Sequence, residues 1–283
     1  MPQQPDSYSR PESLSEAVAL LAKPDSAPLA GGTKLLASEL GLLGTAVIDL
    51  QALGLGQARL IAAGGKEAMA LGATLTLTQF SHFLQQELPE NNVSELLQKA
   101  LRQAGPNTYR NAATLGGTIA SRKADSELLA ALLVLDATVT LHSTSMHNVQ
   151  ASMHNVQTLA AYLAEAERPS SLITTVSIPL AAGRGVSHRV ARTPADYPIV
   201  SITGWRTAAG DVCLAATGLG KRPFRLLEAE KLAKNESIDQ AVAAATAANS
   251  HPGDFRGDAS YRAEMAAVLT RRTLNQLRNN SIT

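Results

Sequence analysis

Apolar residues recur at helical spacing in two clear stretches of the N-terminal half. Leu14, Val18 and Leu21 follow the capping-box pattern Ser13–Glu16, in which a hydroxyl and a carboxylate each bind a free backbone N–H at the start of a helix. Apolar positions within 93–104 also repeat every three or four residues, which is typical of an amphipathic helix with one buried face. The pattern therefore predicts helices that begin near residues 14 and 93.

Between these helices the pattern changes to short apolar runs that are separated by glycine. The run 27–30 meets Gly31-Gly32, apolar residues over 35–43 suit a helix, and 46–50 reads as a strand. This order of strand, glycine turn, helix and strand predicts a small βαβ unit whose glycine turn lies at the end of a strand.

The other elements of the N-terminal half follow from the same two periodicities. We predict hairpin strands over 59–63 and 68–72, helices over 78–88, 128–135 and 159–167, and a strand over 137–141. In the predicted helix 78–88, Phe80, Phe83 and Leu84 fall on the face expected to be buried.

The C-terminal half changes from strand-like to helix-like patterns along the chain. We predict strands over 172–178, 186–191, 200–206 and 212–217, followed by helices over 226–233, 238–248 and 259–277. Strands first and helices afterwards indicate an α+β domain with an antiparallel sheet. The turn-forming residues Pro169-Ser170-Ser171 predict the domain boundary, giving domains over 1–168 and 169–283.

Composition removes several classes of function. The 283 residues include 25 Lys+Arg and 24 Asp+Glu, so there is no basic surface field to favour nucleic acid or an anionic membrane. The single cysteine, Cys213, excludes an internal disulfide and the four thiolates of a typical iron–sulfur cluster or structural zinc site. No histidines have metal-binding motif spacing, so we expect no metal site. Without a signal peptide or membrane span, we expect a cytoplasmic protein without membrane insertion.

A seven-residue duplication interrupts this regular organisation. The segment Ser145–Gln150 recurs as Ser152–Gln157, with a histidine, His147 or His154, in each copy. One interpretation is a metal-binding or recognition repeat, and the other is a local duplication tolerated in a surface connection. We favour the surface connection, because two copies are too few for a repeat architecture.

Two glycine pairs are the strongest candidates for chemistry. They lie in Ala30-Gly31-Gly32-Thr33-Lys34 and in Thr114-Leu115-Gly116-Gly117-Thr118. Consecutive glycines allow backbone N–H groups to approach an anion closely and to form a nest for phosphate oxygens, and nearby threonine hydroxyls are further donors. Two such loops could hold both phosphates of a dinucleotide, although neither matches the GxGxxG or P-loop patterns. Alone, either glycine pair is more readily explained by an ordinary turn.

The order of these motifs resembles a known family. Ala30-Gly31-Gly32-Thr33, followed some eighty residues later by 110–120, RNAATLGGTIA, is similar to the FAD-binding medium subunit of molybdenum-containing hydroxylases of the xanthine dehydrogenase and carbon monoxide dehydrogenase type. Segments 71–76 and 132–137 resemble stretches that flank the second loop in that family. The motifs 220–225, GKRPFR, and 254–262, DFRGDASYR, resemble its C-terminal domain.

The resemblance implies an α+β fold with a two-lobed FAD-binding domain of the vanillyl-alcohol-oxidase type, with lobes at about 1–55 and 56–168, followed by a smaller C-terminal domain. It implies a non-covalent FAD. The residues implied to bind it are Ala30, Gly31, Gly32, Thr33, Lys34 and Leu35 in the first loop, Thr114, Leu115, Gly116, Gly117 and Thr118 in the second, and Glu127, Ile173 and Arg189. Glu127 stands where the family usually has aspartate, and Arg192 is an alternative to Arg189 as the basic residue near the flavin ring.

The resemblance also implies partners, because this chain can ligate neither iron–sulfur clusters nor a molybdenum cofactor. It implies an iron–sulfur small subunit with [2Fe–2S] centres and a molybdopterin-binding large subunit, with electrons leaving through FAD to NAD⁺ or another acceptor. No catalytic residue is then expected in this chain, because the flavin performs the redox step. Two alternatives remain open: a free-standing flavin oxidase or dehydrogenase, and a non-enzymatic scaffold whose flavin site has decayed.

Overall fold

A computed structural model describes residues 5–37, 44–63, 65–145, 148–166, 171–234 and 237–279. The strands are β1 (Ser7–Ser9), β2 (Ser26–Leu29), β3 (Ala46–Asp49), β4 (Ala58–Ala63), β5 (Lys66–Gly72), β6 (Thr138–Ser145), β7 (Asn148–Thr158), β8 (Leu172–Pro179), β9 (Gly183–Val190), β10 (Val200–Thr207), β11 (Val212–Thr217), β12 (Phe224–Arg225), β13 (Gly253–Asp254) and β14 (Gly257–Asp258). The helices are α1 (Leu14–Leu21), α2 (Leu77–Glu87), α3 (Asn92–Gln103), α4 (Asn107–Ala112), α5 (Leu115–Ser121), α6 (Glu127–Val134), α7 (Leu159–Ala164), α8 (Leu227–Lys234), α9 (Ile238–Ala247) and α10 (Ala259–Asn279).

The first three strands form a parallel sheet in the order β1-β3-β2. Helix α1 begins as predicted, because the Ser13 hydroxyl accepts a hydrogen bond from the Glu16 N–H while the Glu16 carboxylate accepts one from Glu12 N–H. The predicted strands at 27–30 and 46–50 are β2 and β3. Residues 33–37 form turns, and the remainder of the helix predicted over 35–43 lies outside the described residues.

The next sheet along the chain is five-stranded and antiparallel, in the order β4-β5-β8-β6-β7. The predicted hairpin is confirmed as β4 and β5. Strand β8 pairs between β5 and β6. The division of the chain after residue 168 stays a prediction.

The duplicated segment is part of this sheet. Its second copy, 152–157, lies in β7 and pairs with β6. The interpretation of that copy as a surface connection was wrong, because the free edge of β6 provides a backbone ladder on which it forms an antiparallel strand.

The C-terminal half contains a four-stranded antiparallel sheet in the order β12-β11-β10-β9. Helices α8, α9 and α10 follow the strands, and α10 lies against β9 and β10. The predicted strands 186–191, 200–206 and 212–217 form this sheet as β9, β10 and β11, and the predicted helices follow them. The strand predicted over 172–178 is instead β8 of the five-stranded sheet, because β5 and β6 both offer it an antiparallel backbone ladder.

Helix α6 lies between the two halves of the chain. All eight of its residues are buried, and it contacts α3 on one side and β10 and β11 on the other. A helix that is apolar all round is expected at the centre of a fold. Its first residue, Glu127, is the one charged residue in it, so the fold buries a carboxylate between the N-terminal and C-terminal halves. In the described part of the chain, no helix has the length and apolar character needed to cross a lipid bilayer.

Candidate functional site

The first glycine loop follows β2 and lies against the end of α4. A Cβ atom placed on Gly31 would lie 1.7 Å from the carbonyl oxygen of Ala112, so only glycine permits this approach of two backbones. Gly32 has a φ of +69°, in the left-handed region that glycine adopts without strain. These two residues therefore bring the first loop to the segment that enters the second loop.

The first loop presents backbone donors. Among the described residues, no hydrogen-bond acceptor faces the N–H groups of Gly31, Gly32 or Thr33. Successive N–H groups without protein acceptors form a concavity that suits the oxygens of an anion. Of the other predicted residues here, Ala30 packs against the small core around α1, Leu35 is half-buried, and the exposed Lys34 donates through Nζ to the Ser121 carbonyl oxygen at 3.2 Å.

The second glycine loop forms the first turn of α5. Thr114 is the N-cap, and its hydroxyl accepts a hydrogen bond from the Gly117 N–H at 3.1 Å. The N–H of Gly116 donates to the Ala73 carbonyl oxygen at 2.8 Å, and a Cβ atom on Gly116 would lie 2.6 Å from the Cβ of Ala73. The N–H groups in this loop therefore bind the protein itself, unlike those of the first loop.

The other two residues predicted in the second loop have different surroundings: Leu115 lies in the core, and Thr118 lines a cavity. Leu115 is fully buried in the core, and its N–H donates to the Leu75 carbonyl oxygen at 2.9 Å. The Thr118 hydroxyl donates to the Thr114 carbonyl oxygen at 2.9 Å, so its hydrogen is directed at its own helix, not at a ligand. The Thr118 side chain nevertheless lines the cavity beside α5.

This cavity lies between α5, the N-terminus of α6 and the segment after β9. Its volume is about 20 Å³, which is enough for about one water molecule. The residues that line it are Leu77, Gln103, Ala104, Tyr109, Thr118, Ser121, Lys123, Asp125, Ser126, Glu127 and Tyr197. Several of them carry hydroxyl or charged groups, so this small cavity is polar on one side.

Glu127 is the most unusual group in the cavity. Its side chain is 3% exposed, and neither carboxylate oxygen has a hydrogen-bond partner. Among the residues that the structure describes, Glu127 forms an ion pair with Arg189, whose Nη1 lies 3.2 Å from Oε2. Burial raises the pKa of Glu127 to about 7, although the positive charges of Arg189 and Lys99 oppose the rise. A buried carboxylate without donors is costly, so this site is incomplete with respect to hydrogen-bond donors.

Charged residues from both halves of the chain meet beside Glu127. Asp125 pairs with Arg256, from the β13–β14 hairpin, at 3.2 Å and with Lys123 at 3.8 Å. The Lys123 ammonium lies 3.4 Å from the centre of the Tyr197 ring, a favourable cation–π contact. Sequence reasoning assigned no role to Asp125, Lys123, Arg256 or Tyr197. The available signal was the position of Asp125 and Lys123 just after the second loop, and of Arg256 within the DFRG motif.

Two further residues predicted to bind FAD, Ile173 and Arg189, do not line the cavity. Ile173 is buried in the main core on β8. Arg189 contacts the cavity through Glu127, whereas the alternative, Arg192, is largely exposed and pairs with Asp196 at 3.6 Å. Of the two arginines, Arg189 is therefore the one that the fold directs at Glu127.

Comparison with known proteins supports the family resemblance found in the sequence, over nearly the whole chain. Residues 3–181 match the model of the FAD binding domain in molybdopterin dehydrogenase, and residues 191–277 match the CO dehydrogenase flavoprotein C-terminal domain. The carbon monoxide dehydrogenase medium chain of Afipia carboxidovorans is 30% identical, with 95% of each chain covered. The glyceraldehyde dehydrogenase medium chain of Sulfolobus acidocaldarius is 28% identical, covering 96% of this chain and 98% of the relative.

Solved structures of carbon monoxide dehydrogenases contain chains of the same fold. The Cu,Mo-CO dehydrogenase in its cyanide-inactivated form contains a chain with a TM-score of 0.78 and 26% identity, covering 96% of this chain and 98% of that chain. The reconstituted CO dehydrogenase from Oligotropha carboxidovorans contains one with a TM-score of 0.81 at 24% identity, covering 99% and 100%. The family expectation and its α+β fold are thereby confirmed: this chain belongs to the FAD-binding medium-chain family of molybdenum hydroxylase-type oxidoreductases.

Proposed function

We propose that the two glycine loops and Glu127 form the FAD site, with the division of labour that their hydrogen bonds suggest. The available N–H groups of Gly31, Gly32 and Thr33 would bind the pyrophosphate, with Ala30, Lys34 and Leu35 completing that loop. Thr114, Leu115, Gly116, Gly117 and Thr118 would hold the first loop in place and supply the cavity wall beside it. This proposal rests on the contrast between the first loop, whose N–H groups lack acceptors, and the second loop, whose N–H groups have them.

The observation that carries the proposal is the buried carboxylate of Glu127 without a hydrogen-bond donor. A ligand that completes this group must supply hydroxyl or N–H donors, and a ligand that occupies the first loop must supply anionic oxygens. FAD carries ribityl and ribose hydroxyls together with a pyrophosphate, so one molecule meets both requirements. Arg189 would favour the ionised form of the carboxylate, and Ile173 would support the apolar wall behind it.

We propose further that the chain is the electron-exit subunit of a larger complex. When bound, FAD supplies the redox chemistry. The single cysteine cannot ligate an iron–sulfur cluster, so electrons would arrive from the [2Fe–2S] centres of a small partner chain, and substrate would react at the molybdopterin of a large partner chain. The acceptor would be NAD⁺ or another oxidant. The domain division after residue 168 and a cytoplasmic location belong to the same proposal.

Purification of the complex from its native source, with flavin, iron and molybdenum analysis, tests this function. We expect about one FAD per chain, together with a cysteine-rich iron–sulfur chain and a larger molybdenum-containing chain. A flavin-loaded chain that purifies alone and oxidises a substrate would instead support the free-standing oxidase or dehydrogenase. A chain that purifies without flavin and without partners would contradict the proposal.

A further inference from the structure

Two histidines face each other across the β6–β7 hairpin. His142 and His154 are directly opposite in the antiparallel register, so both side chains project from the same face of the sheet. Their ring centres are 5.9 Å apart and the ring planes are inclined by 29°. His154 belongs to the second copy of the duplicated segment, which the FAD site does not involve.

The surroundings of this pair are defined by neighbouring elements. On β8, Leu172 lies directly opposite His142 and packs against Val18 of α1, so α1 covers the same face of the sheet. His142 is half-buried beside this apolar contact, whereas His154 is exposed to solvent. One side of the pair is therefore held by packing and the other side is open to ions from solution.

We propose that His142 and His154 together bind one divalent transition-metal ion of the Cu²⁺, Ni²⁺ or Zn²⁺ class, with one imidazole nitrogen from each ring and water in the remaining positions. Imidazole is a preferred ligand for these ions. An ion at about 2.0–2.1 Å from one nitrogen of each ring would place the ring centres roughly 5–6 Å apart, which is close to the observed separation. Two adjacent strands of one sheet fix the backbone positions of the two histidines before an ion arrives, and rotation of the rings out of their stacked arrangement would direct one nitrogen of each at the ion.

The site is a two-ligand site. The described residues contain no group of three or more His, Cys, Asp or Glu side chains that could hold a metal ion. Water in the other coordination positions makes exchange with solution easy, so we expect a reversible site that has a much lower affinity than a structural zinc site with four protein ligands. The sequence-based expectation of no metal site rested on motif spacing along the chain, which does not detect ligands on paired strands.

Titration of the full chain with Cu²⁺ tests the proposal, after removal of any purification tag. Calorimetry measures affinity and stoichiometry, and electron paramagnetic resonance reports nitrogen ligands. The variants are His142→Gln, His154→Gln and the double variant, with His82→Gln as the matched control, because His82 is an exposed histidine on α2. Because His154 is exposed, we expect His154→Gln to fold as the wild type does. A loss of Cu²⁺ binding in this variant therefore reports the loss of a ligand and not of the fold.

We expect about one equivalent of Cu²⁺ with a two-nitrogen spectrum for the wild type and for His82→Gln. Each single variant should lose at least about tenfold in affinity, and the double variant should lose little more, because two ligands of one ion are not independent. Binding by His154→Gln that equals the wild type would overturn the proposal. The proposal would also be overturned if the free-energy losses of Cu²⁺ binding in the two single variants added in the double variant. The absence of a two-nitrogen spectrum in the wild type would overturn it as well.

Discussion

Replacement of Glu127 by glutamine should change protein stability and FAD affinity in opposite directions. The carboxyl group has an ordinary pKa of 4.5, which burial raises to about 7 in the folded chain. At about 1.4 kcal/mol per pKa unit, this difference corresponds to about 3 kcal/mol. That is the free-energy cost of keeping the carboxylate ionised in the folded chain when no ligand is bound.

The sign of the pH dependence follows from proton binding. Between pH 4.5 and about 7, the folded chain holds a proton on Glu127 while the unfolded chain has lost it, so the contribution of this group to stability falls as pH rises. Above that window the full cost is present. Glutamine has nearly the same shape and no charge to desolvate, so the free-energy difference between Glu127→Gln and wild type should shift in favour of the variant by up to about 3 kcal/mol from pH 4.5 to pH 8.

FAD binding should respond in the reverse sense. Hydroxyl donors from the ligand favour the ionised carboxylate, so wild-type affinity for FAD should increase as pH rises from 5.5 to 8. In Glu127→Gln this dependence should disappear, and affinity at pH 8 should fall by about tenfold, or ~1.4 kcal/mol, because a charged acceptor is replaced by a neutral one.

Two assays on the purified chain measure these effects. Denaturant unfolding without FAD at several pH values gives the stability difference, and flavin fluorescence quenching gives the dissociation constant. Glu228→Gln is the control, because Glu228 is exposed and pairs with the exposed Lys231 on the surface of α8. A stability difference between Glu127→Gln and wild type that does not change between pH 5 and pH 8 would refute the reasoning.

Three further predictions concern packing and the lone thiol. Gly31→Ala should lose at least about 3 kcal/mol of stability in thermal or denaturant unfolding, because its Cβ would lie 1.7 Å from the Ala112 carbonyl oxygen. Gly56→Ala is the control and should unfold as wild type, because its Cβ would meet nothing closer than 3.6 Å. Arg262→Met should lower stability by about 3–5 kcal/mol, because the guanidinium is fully buried and binds three carbonyl oxygens and a carboxylate; an unchanged denaturant midpoint of unfolding would contradict this. Burial raises the pKa of Cys213 to about 11, so a thiol reagent at pH 8 should label it after unfolding, and rapid labelling of the folded chain would be the contrary result.

The elements that the sequence predicted best are those with a long periodic pattern. Helix α3 has seven buried residues, and the strands β8 and β10 are rich in the β-branched residues valine, isoleucine and threonine, which favour strands. Strand β1 was missed because it consists of three residues, two of them serine, and it forms only by pairing with β3. Helices α4 and α5 were missed because their sequences lack an apolar stripe and because glycine has a low helix propensity.

The candidate site could be predicted from local motifs for its loops and from the family resemblance for Glu127 and Arg189, but the contacts between its charged residues could not. The two glycine pairs are visible as local motifs, and the structure brings Gly31 against the end of α4. The contact between Glu127 and Arg189 joins α6 to β9, and that between Asp125 and Arg256 joins the segment before α6 to the β13–β14 hairpin. Such contacts depend on how the sheets and helices pack together, and no local sequence pattern indicates that packing.

Reconstitution of the purified chain with FAD, followed by gel filtration and flavin analysis, tests the central claim most directly. We predict that about one FAD per chain remains bound, that acid denaturation releases all of it because the flavin is not covalently attached, and that Gly31→Ala and Glu127→Gln retain less than Gly56→Ala. A folded wild-type chain that retains no FAD after incubation with excess flavin would contradict the account.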